Sequence, residues 1–585
     1  MSNKTERQLK LNKAPASLTQ CPLPSLDWSR PQAPAARDFG DIYFSIDGGL
    51  EETRTVFLGG CGLPAGWQGR RHYTIGELGF GSGLNFLTTL QMWEQSAPKD
   101  ARLHFISIEK FPFDAAQLQK ALSLWPELSK YAAQLISAWP GRVKGFHRLH
   151  FGSVTLTLIH DDITPALDTL DAQIDAWFLD GFSPVKNPDM WSSSIMMKLA
   201  SLSAPQARLA TFTVAGTVRK ALSGAGFNVE KKTGFGRKRH RLEASFLKPV
   251  SEGISIKRVN KPAPTIIGSG IGGAALARAF MRRGIVPKLI TQGNGHAASG
   301  NAAALIKPRL DLQDRPESRF FLASYLYALQ AYAGADNIIS RGITQIPKTD
   351  MEAARFKKIT AQAPIDVQHL NFENNLLSYP QALTVKPADI IKSWTNGIDI
   401  THQEVTSLDD IDGPVFAAIG YGIKPFLENG SDIFKLNPDK PELRYSRGQV
   451  SWAASSDKVS GTLSYGGYAI PIADRILIGA THGPVVDDPY ALQTEDDANN
   501  LSQFQSVMGH SLHPADPLAS RASVRVVSTN TLPMILHPKP NQYILTGLGS
   551  RGFVFAPLLA ETIVSRWLGE PLPVSSKVWT RFGPR

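Results

Sequence analysis

Two glycine-rich turns of different kinds, each directly after a run of β-forming residues, constrain the fold of this chain most. The first turn, residues 79–83, reads Gly-Phe-Gly-Ser-Gly and follows an apolar run at 73–78. The second, residues 268–273, reads Gly-Ser-Gly-Ile-Gly-Gly and follows Thr-Ile-Ile at 265–267. Glycines at a strand-to-helix turn allow a nucleotide to lie against the backbone. The two turns therefore predict two nucleotide-binding domains, each with its own ligand.

Length and composition agree with a soluble globular protein of two to four domains. The chain has 585 residues, of which 42% are hydrophobic and 19% are charged. The 62 Lys and Arg against 51 Asp and Glu give a formal charge of +11, which favours an anionic partner. Cys21 and Cys61 are the only cysteines, so we expect no disulfide framework, no cysteine-based metal site and a reducing, cytoplasmic location.

No segment predicts a signal peptide or a membrane span. Residues 1–20 are polar and lack a continuous apolar core. The longest apolar stretch, residues 265–281, is interrupted by glycines and by Arg278, which is typical of a buried strand, turn and helix. We therefore expect no membrane association.

The pattern of predicted elements divides the chain into four parts. Strands spaced by helical lengths indicate a doubly wound, mostly parallel sheet in the first half. A second α/β pattern begins at residue 265, and its later part is rich in Tyr, Gly and β-branched residues, which suggests an inserted antiparallel sheet. The predicted parts are a mobile arm (1–36), a first α/β domain (37–248), a Pro- and Lys-rich linker (249–264) and a second α/β domain (265–585).

Acidic residues close successive strands of the first domain. Glu77 ends the strand before the first glycine turn, Glu109 ends the next strand, and Asp161 and Asp162 end the one after. Open α/β sheets bind ligands at these carboxyl ends, where Glu109 could accept from both ribose hydroxyls and Asp161 or Asp162 from an adenine amino group. The alternative is that these acids only cap helices and turns.

The spacing of the first turn resembles that of class I methyltransferases, which bind S-adenosylmethionine. A ligand with a ribose and a cationic sulfur, but no phosphate, suits a pocket rich in acids. The resemblance implies S-adenosylmethionine binding by Glu77, Gly79, Gly81, Gly83, Glu109, Asp161 and Asp162.

A longer loop, residues 177–191, is more specific. It reads Trp-Phe-Leu-Asp-Gly-Phe-Ser-Pro-Val-Lys-Asn-Pro-Asp-Met-Trp and follows a predicted strand. Asp180 in this loop could hydrogen-bond an amine and take its proton, while the aromatic side chains hold a planar base. The alternative for Asp180 is a helix N-cap.

Five segments together resemble the MnmC family of bifunctional enzymes, which make 5-methylaminomethyl-2-thiouridine in tRNA. The segments are residues 79–86, 178–191, 211–219, 298–301 and 547–553. The resemblance implies a class I, Rossmann-like methyltransferase domain, followed by an FAD-binding α/β domain with an inserted antiparallel substrate sheet, like D-amino-acid oxidase.

The family's chemistry implies two reactions on the wobble uridine (position 34). An FAD-dependent step removes the carboxymethyl group from a 5-carboxymethylaminomethyl substituent, and the methyltransferase then methylates the resulting amine. By resemblance, Asp180 is the carboxylate of the methylation site. The role of proton acceptor inferred above for Asp180 agrees with this, because an aliphatic amine is mostly protonated at neutral pH and must lose a proton before it can be methylated.

The second glycine turn fits the dinucleotide motif G-x-G-x-x-G between a strand and a helix, whose N-terminus would carry the FAD pyrophosphate. The next strand ends in Thr291 and Gln292 rather than in the expected ribose-binding acid. Lys307 could lie near the flavin or near the substrate carboxylate, and Arg551 could bind a carboxylate. The alternative for Arg551 is a surface cation. The predicted FAD-binding residues are Gly268, Gly270, Gly273, Ser299, Asn301, Gly547 and Gly549.

A basic segment predicts the surface that meets the anticodon region of tRNA. Residues 231–241 carry six cations around Gly-Phe-Gly, and Phe235 is available to stack on a base. The alternative is a solvated turn. We expect the protein to act as a monomer without a metal ion. The predicted tRNA contacts are Lys231, Lys232, Arg237, Lys238, Arg239 and Arg241.

Two other functions stay open on sequence alone. One is a fusion of a small-molecule amine oxidase and a methyltransferase that never binds RNA. The other is a methyltransferase whose flavin domain has degenerated into a docking module for tRNA, which the missing ribose acid would permit.

Overall fold

The computed structural model describes residues 19–46, 48–247, 262–293, 295–334, 337–428, 442–455 and 459–583. Two α/β domains follow one another along the chain. Residues 1–18 of the predicted arm and 249–261 of the predicted linker lie outside the described residues. The predicted fold class is confirmed in both halves, with a doubly wound sheet first and a nucleotide-binding domain with an added antiparallel sheet second.

The first domain is built on an eight-stranded sheet with the order β7-β8-β6-β5-β1-β2-β4-β3. The strands β1, β2, β4, β5 and β6 run parallel, whereas β3, β7 and β8 are antiparallel to their neighbours. The strands are β1 (His72–Leu78), β2 (Arg102–Glu109), β3 (Gly145–Phe151), β4 (Val154–His160), β5 (Ile174–Leu179), β6 (Ser203–Thr211), β7 (Phe227–Thr233) and β8 (His240–Phe246).

Helices cover both faces of this sheet, as expected for apolar strands buried on both sides. The helix that follows the first glycine turn is α1. The helices are α1 (Leu84–Ser96), α2 (Ala115–Leu122), α3 (Ser129–Ser137), α4 (Ile163–Thr169), α5 (Ser193–Leu202) and α6 (Gly216–Gly224).

The described part of the predicted mobile arm, residues 19–36, is bound to the rest of the protein. The Cys21 amide donates to the Arg142 carbonyl (2.8 Å), and the Thr19 hydroxyl donates to the Pro364 carbonyl of the second domain (3.0 Å). Leu26–Asp27 and Ala35–Ala36 pair as short strands. The prediction of a mobile arm is therefore wrong for these residues, because their backbone groups have fixed partners.

The second domain begins with a six-stranded sheet that is mostly parallel and has the order β15-β10-β9-β16-β23-β22. Only β22 is antiparallel to its neighbour. The central strand β9 leads through the second glycine turn into helix α7 (Ile271–Met281). The strands are β9 (Thr265–Ile267), β10 (Lys288–Thr291), β15 (Ile400–His402), β16 (Val415–Ala417), β22 (Met534–Leu536) and β23 (Gln542–Thr546).

The added sheet of this domain has nine strands and is antiparallel except where β12 meets β18. Its main path is β11-β14-β12-β18-β19-β20-β17-β21, and β13 pairs with β14. These strands are β11 (Ala304–Ile306), β12 (Ile338–Gln345), β13 (Asn371–Glu373), β14 (Leu376–Val385), β17 (Leu443–Ala454), β18 (Thr462–Ser464), β19 (Tyr468–Ile472), β20 (Arg475–Gly479) and β21 (Ala519–Ser528).

Two long helices of the second domain, α8 and α13, pack together, and each contributes many residues to its main apolar core. Val143 of the first domain is fully buried in this same core, so the two domains share packing. The remaining helices are α8 (Pro316–Tyr332), α9 (Asp350–Ala361), α10 (Pro387–Trp394), α11 (Ile423–Glu428), α12 (Thr494–Met508), α13 (Gly552–Leu568) and α14 (Ser576–Phe582).

A buried set of charged groups lies along the contact between the domains. Arg283 Nη2 lies 3.0 Å from Glu561 Oε1 and 2.7 Å from Glu570 Oε2. Two histidines of the first domain approach the same carboxylates. Glu561 Oε1 also lies 3.5 Å from His150 Nε2, and the second oxygen of Glu570, Oε1, lies 3.8 Å from His104 Nε2. Burial alone would raise the pKa of Glu570, but the charge of Arg283 holds it well below its usual value. Arg283 thus keeps both carboxylates ionised inside the domain contact.

Within the described residues, no helix has both the length and the apolar composition that crossing a bilayer requires.

The substitution Arg283→Met tests this buried contact. It leaves two buried carboxylates without their cation, and we expect a loss of about 3–5 kcal/mol of unfolding free energy. Arg566→Met is the matched control, because it breaks an exposed ion pair between the domains, Arg566–Asp171 at 3.0 Å, and should cost less than about 1 kcal/mol. Urea unfolding measures both. Equal stability of the two variants would contradict this role of Arg283.

Candidate active sites

A cavity of about 740 Å³ lies at the carboxyl ends of the parallel strands in the first domain. Residues from the turns after β1, β2, β4 and β5 line it, because parallel strands end at the same edge of a sheet. Its lining includes Gly79, Gly81, Glu109, Asp161 and Asp180, so one cavity brings together the predicted glycine turn, acids and methylation-site carboxylate.

The glycine turn fits closely against the loop that carries Asp180. Gly79 has φ +91°, and a Cβ there would lie 2.7 Å from the Asp180 carbonyl oxygen. Gly83 has φ +78° and directly precedes α1. The Glu109 carboxylate accepts from the Gly81 amide (2.9 Å) and from the Phe111 amide (2.8 Å). Only glycine permits this backbone path, which holds the turn next to Asp180.

A chain of hydrogen bonds fixes the Asp180 carboxylate. Asn85 Nδ2 donates to Asp180 Oδ2 (2.7 Å) and to Glu77 Oε1 (2.9 Å). The Thr53 hydroxyl donates to Asn85 Oδ1 (2.7 Å), which fixes the orientation of the amide. Ser107 donates to the second oxygen of Glu77 (2.6 Å). One carboxylate oxygen of Asp180 is thereby anchored through Asn85.

The electrostatic surroundings of Asp180 favour proton uptake. Burial, together with the charge of Glu52, raises the pKa of Asp180 to about 8. Glu52 lines the same cavity, and its carboxylate accepts from Lys238 Nζ (2.8 Å). A carboxylate of this pKa is matched to general base catalysis near neutral pH.

Aromatic rings surround the entrance to the Asp180 side of the cavity. Phe39 and Phe182 stack with their centroids 4.6 Å apart, and Tyr43 meets Phe182 edge-on at 5.3 Å. All three line the cavity, together with Phe235. Such rings provide flat apolar surface on which a planar base can stack.

The second cavity, of about 1050 Å³, is lined by the second glycine turn and the added sheet. A Cβ on Gly273 would lie 1.8 Å from the Gly268 carbonyl oxygen, and one on Gly268 would lie 2.5 Å from the Ala418 carbonyl oxygen. Ser299 Oγ accepts from the Ile271 amide (3.0 Å) at the start of α7. This cradle of backbone at a helix N-terminus fits a dinucleotide pyrophosphate.

An acid is present where the sequence predicted none. Gln292 follows β10, and its Nε2 donates to Glu404 Oε1 (3.0 Å). Glu404 follows the neighbouring strand β15 and lines the cavity, as do Thr291 and Gln292. Strand β10 ends without an acid, as the sequence indicates, but the adjacent strand brings Glu404 to the same part of the cavity.

The opposite end of this cavity is rich in buried cations. Lys307 Nζ donates to Gln345 Oε1 (2.8 Å), and burial, with the charge of Arg551, lowers the pKa of Lys307 to about 7. Arg525 is 8% exposed and donates to the Thr481 carbonyl (3.3 Å). Lys307, Arg525 and Arg551 all line the cavity, so this end suits an anionic group.

Models of two protein families match the two halves of the chain. Residues 126–246 match the S-adenosyl-L-methionine-dependent methyltransferase model, and residues 265–566 match the FAD dependent oxidoreductase model. The cavities described above lie in the corresponding halves. The chain therefore has both enzyme types, and their cofactors are FAD and S-adenosylmethionine as methyl donor.

Full-length relatives carry both halves in one polypeptide. A protein from Maricaulis maris named tRNA 5-methylaminomethyl-2-thiouridine biosynthesis bifunctional protein MnmC is 38% identical over 566 residues, covering 94% of this chain and 93% of the relative. A protein of the same name from Caulobacter sp. (strain K31) is 38% identical over 584 residues, covering 94% and 95%. The chain belongs to the MnmC family. The predicted family and the two predicted enzyme classes are confirmed.

Within this MnmC-family chain, three predicted cofactor residues do not line a cavity. Glu77 lies buried beneath the first turn, where burial raises its pKa well above the usual value. Gly83 and Gly273 lie on the helix side of their turns and allow close packing there. The other predicted cofactor-site residues line their cavities, namely Gly79, Gly81, Glu109, Asp161 and Asp162 in the first, and Gly268, Gly270, Ser299, Asn301, Gly547 and Gly549 in the second.

The predicted basic segment forms the hairpin of β7 and β8 and the turn between them, at the entrance of the first cavity. Arg237 and Lys238 line this cavity. Lys232 pairs with Glu230 (2.6 Å), and Arg241 pairs with Glu243 (2.6 Å). Lys231 and Arg239 are exposed, and among the described residues neither forms an ion pair. Lys238, bound to Glu52, is part of the Asp180 surroundings rather than a free surface cation.

Sequence reasoning missed Asn85, Glu52 and Glu404. Asn85 could have been found from the sequence, because it lies in the first turn of α1, directly after the glycine turn. Glu52 and Glu404 are far from any motif, and only the folded sheet edges bring them to the cavities.

Among the described residues, one group has donor atoms close enough together for a metal ion, namely His72, His104 and Glu570, within 4.8 Å of one another. Arg283 already binds Glu570, and the charge of Arg148 acts on the same imidazole of His104. The positive charges of Arg283 and Arg148 disfavour the binding of a divalent cation by this group. The absence of a metal stays a prediction.

The substitution Gly273→Ala tests the proposed pyrophosphate site at the second glycine turn. The new methyl group would meet the Gly268 carbonyl oxygen at 1.8 Å, so the turn must shift and lose its fit to the cofactor. We expect the flavin Kd to rise by at least about tenfold, a loss of about 1.4 kcal/mol or more in binding free energy, and the purified protein to carry less flavin than the wild type. Gly483→Ala is the control, because a Cβ there meets no atom within 4 Å. Wild-type flavin absorbance in Gly273→Ala would refute the assignment.

Proposed function

We propose that this chain carries out two successive reactions on the wobble uridine of tRNA. The second domain removes the carboxymethyl group from 5-carboxymethylaminomethyl-(2-thio)uridine, and the first domain methylates the amine that remains. The single observation that carries the proposal is Asp180, a carboxylate with a pKa of about 8, anchored by Asn85 among aromatic rings in the methyl-donor domain. The names of the relatives, which describe tRNA 5-methylaminomethyl-2-thiouridine biosynthesis, support the same substrate.

In the first reaction, the substrate's carboxymethyl arm enters the flavin cavity. Bound FAD would accept a hydride, which carries two electrons, from the carboxymethyl C–H, while the N–H proton is lost to solvent. The resulting imine reacts with water, which gives the primary amine on the tRNA and releases glyoxylate. Lys307, Arg551 and Arg525 hold the arm's carboxylate, since all three line the cationic end of this cavity. Ser299 and the second glycine turn hold the cofactor.

In the second reaction, Asp180 accepts a proton from the substrate's ammonium group, and the free amine attacks the methyl group of S-adenosylmethionine. The N–C bond forms as the methyl–sulfur bond breaks, and S-adenosylhomocysteine leaves. Glu109 holds the ribose, and Asp161 holds the adenine. Glu77 acts indirectly, because it and Thr53 fix the Asn85 amide that orients Asp180. Glu52 raises the pKa of Asp180, which makes it a stronger base for an amine.

The basic hairpin holds the tRNA at the entrance of the first cavity. Lys231 and Arg239 contact phosphates, while Phe235 and Phe182 are available to stack on the base. This surface favours tRNA over a small-molecule amine as substrate. The contact with the anticodon region and the action of a single monomer are parts of this proposal.

Substituting Asp180→Asn tests the proposed base. Asparagine keeps the shape but cannot accept the proton, so methylation should fall by about 10²–10⁴-fold. Binding of S-adenosylmethionine should change little, because the carboxylate meets the amine and not the donor. Mass analysis of tRNA nucleosides should show arrest at the primary amine. Methylation at the wild-type rate in this variant would remove Asp180 from the mechanism.

The pH dependence of methylation gives a second test of this site. The base works when it is ionised, so kcat/KM for methylation should rise with pH up to about 8. Glu52→Gln removes a negative charge beside Asp180, lowers the pKa of Asp180 and should move this rise to lower pH. Glu51→Gln is the control, because Glu51 pairs with Arg54 at the surface. An unchanged profile in Glu52→Gln would contradict the proposed coupling.

Salt dependence tests the RNA surface. Affinity for tRNA should fall as salt rises, because bound cations displace counterions from phosphates. The double variant Lys231→Ala/Arg239→Ala should reduce the slope of log affinity against log salt by about 1.4–1.8, that is about 0.7–0.9 for each lost contact. Lys99→Ala is the control, since Lys99 precedes β2 at the opposite edge of the sheet. An affinity that does not change with salt would favour a small-molecule substrate.

A further inference from the structure

A residue of the oxidase domain reaches the methyl-donor cavity. Arg319 lies on α8, and its guanidinium forms an ion pair with Asp161, which lines the cavity of the first domain. The pair joins the two domains at the wall of an active site. The contact with Asp161 is made by one arm of the guanidinium, Nη1, which leaves the other nitrogens for a second partner.

Arg319 is held from its own side by Asp314. Its Nε lies 2.6 Å from Asp314 Oδ1, and its Nη2 lies 2.8 Å from Asp314 Oδ2, which is a two-point, fork-like contact. The side chain also packs over Gly145, where a Cβ would lie 3.5 Å from the Arg319 Cβ. Arg319 therefore has a fixed direction and presents Nη1 to Asp161.

Both carboxylate oxygens of Asp161 are fixed as a result. Oδ2 meets Arg319, and Oδ1 accepts from the Asp162 amide (2.9 Å). The neighbouring Asp162 differs, because its side chain is 44% exposed and pairs with Lys110 (2.5 Å). Of the two acids after β4, only Asp161 is held in a single orientation by the other domain.

We propose that Arg319 is a positioning residue for the methyl donor. It orients Asp161 to accept from the adenine amino group, so the oxidase domain completes the methyltransferase site. The inference rests on the proposed role of Asp161 and adds that this role depends on the other domain. Residues 307–319 connect the two sites. Lys307 lines the flavin cavity, and Arg319 binds Asp161 at the methyl-donor cavity.

The test uses the full chain and the substitution Arg319→Ala. Calorimetry measures the Kd of S-adenosylmethionine, of S-adenosylhomocysteine and of an S-adenosylhomocysteine analogue whose adenine amino group is replaced by hydrogen. Arg566→Ala is the matched control, because it breaks an exposed ion pair between the same domains. Arg319→Lys keeps the charge but loses the fork with Asp314.

We expect Arg319→Ala to weaken both adenine-containing ligands by about tenfold, within the range typical for loss of an orienting partner. The analogue should bind the variant and the wild type equally, and kcat at saturating donor should change less than about twofold, since the chemical step is untouched. Arg319→Lys should restore part of the affinity. Flavin content should match that of Arg566→Ala.

Two results would overturn the inference, namely donor affinity in Arg319→Ala equal to that in Arg566→Ala, or an equal loss for the analogue. The substitution Asp161→Ala, which removes the acceptor, shows whether the proposed site itself has failed. If Asp161→Ala binds the donor normally, Asp161 makes no contact with the adenine and the proposed site is wrong. If only Asp161→Ala loses affinity, the site stands and the role of Arg319 is wrong.

Discussion

The buried cation Arg283 is the interaction on which the joint arrangement of the two domains depends. It neutralises Glu561 and Glu570, and these carboxylates in turn face His150 and His104 of the methyltransferase domain. Carboxylates without such a cation would be costly to bury. Glu561 lies on α13, which packs against α8, the helix that carries Arg319 to the methyl-donor cavity.

Within each domain, the sites follow from one rule of parallel sheets. The parallel strands all end at the same edge of the sheet. A glycine turn after one strand therefore lies close to the acids that follow the neighbouring strands. In the first domain this edge joins Gly79, Glu109 and Asp161 in one cavity. In the second domain the edge holds the second turn and Arg551, and the added antiparallel sheet supplies Lys307 and Arg525. The first domain thus has an acid-lined cavity, and the second has a cavity with cations for the substrate carboxylate.

The local motifs could be predicted from sequence because they are short and each carries its own physical reason. The turns at 79–83 and 268–273 combine glycine spacing with a strand before and a helix after, and Asp180 lies in a loop of distinctive composition. Glu52 and Glu404 could not be predicted, because no spacing links them to a motif and only folding brings them to the cavities. The segment 19–36 looked mobile from its composition, but its partners lie in distant parts of the chain. Burial of Glu77 was also hidden, since a strand-ending acid can point along the edge or beneath the turn.

The central claim is that one chain makes the amine and then methylates it. Nucleoside mass analysis of tRNA that carries 5-carboxymethylaminomethyl-uridine, incubated with the purified FAD-loaded protein, tests it most directly. Without S-adenosylmethionine the nucleoside should stop at the aminomethyl form, and addition of the donor should convert it to the methylaminomethyl form. Persistence of the carboxymethyl nucleoside with both cofactors present would contradict the account.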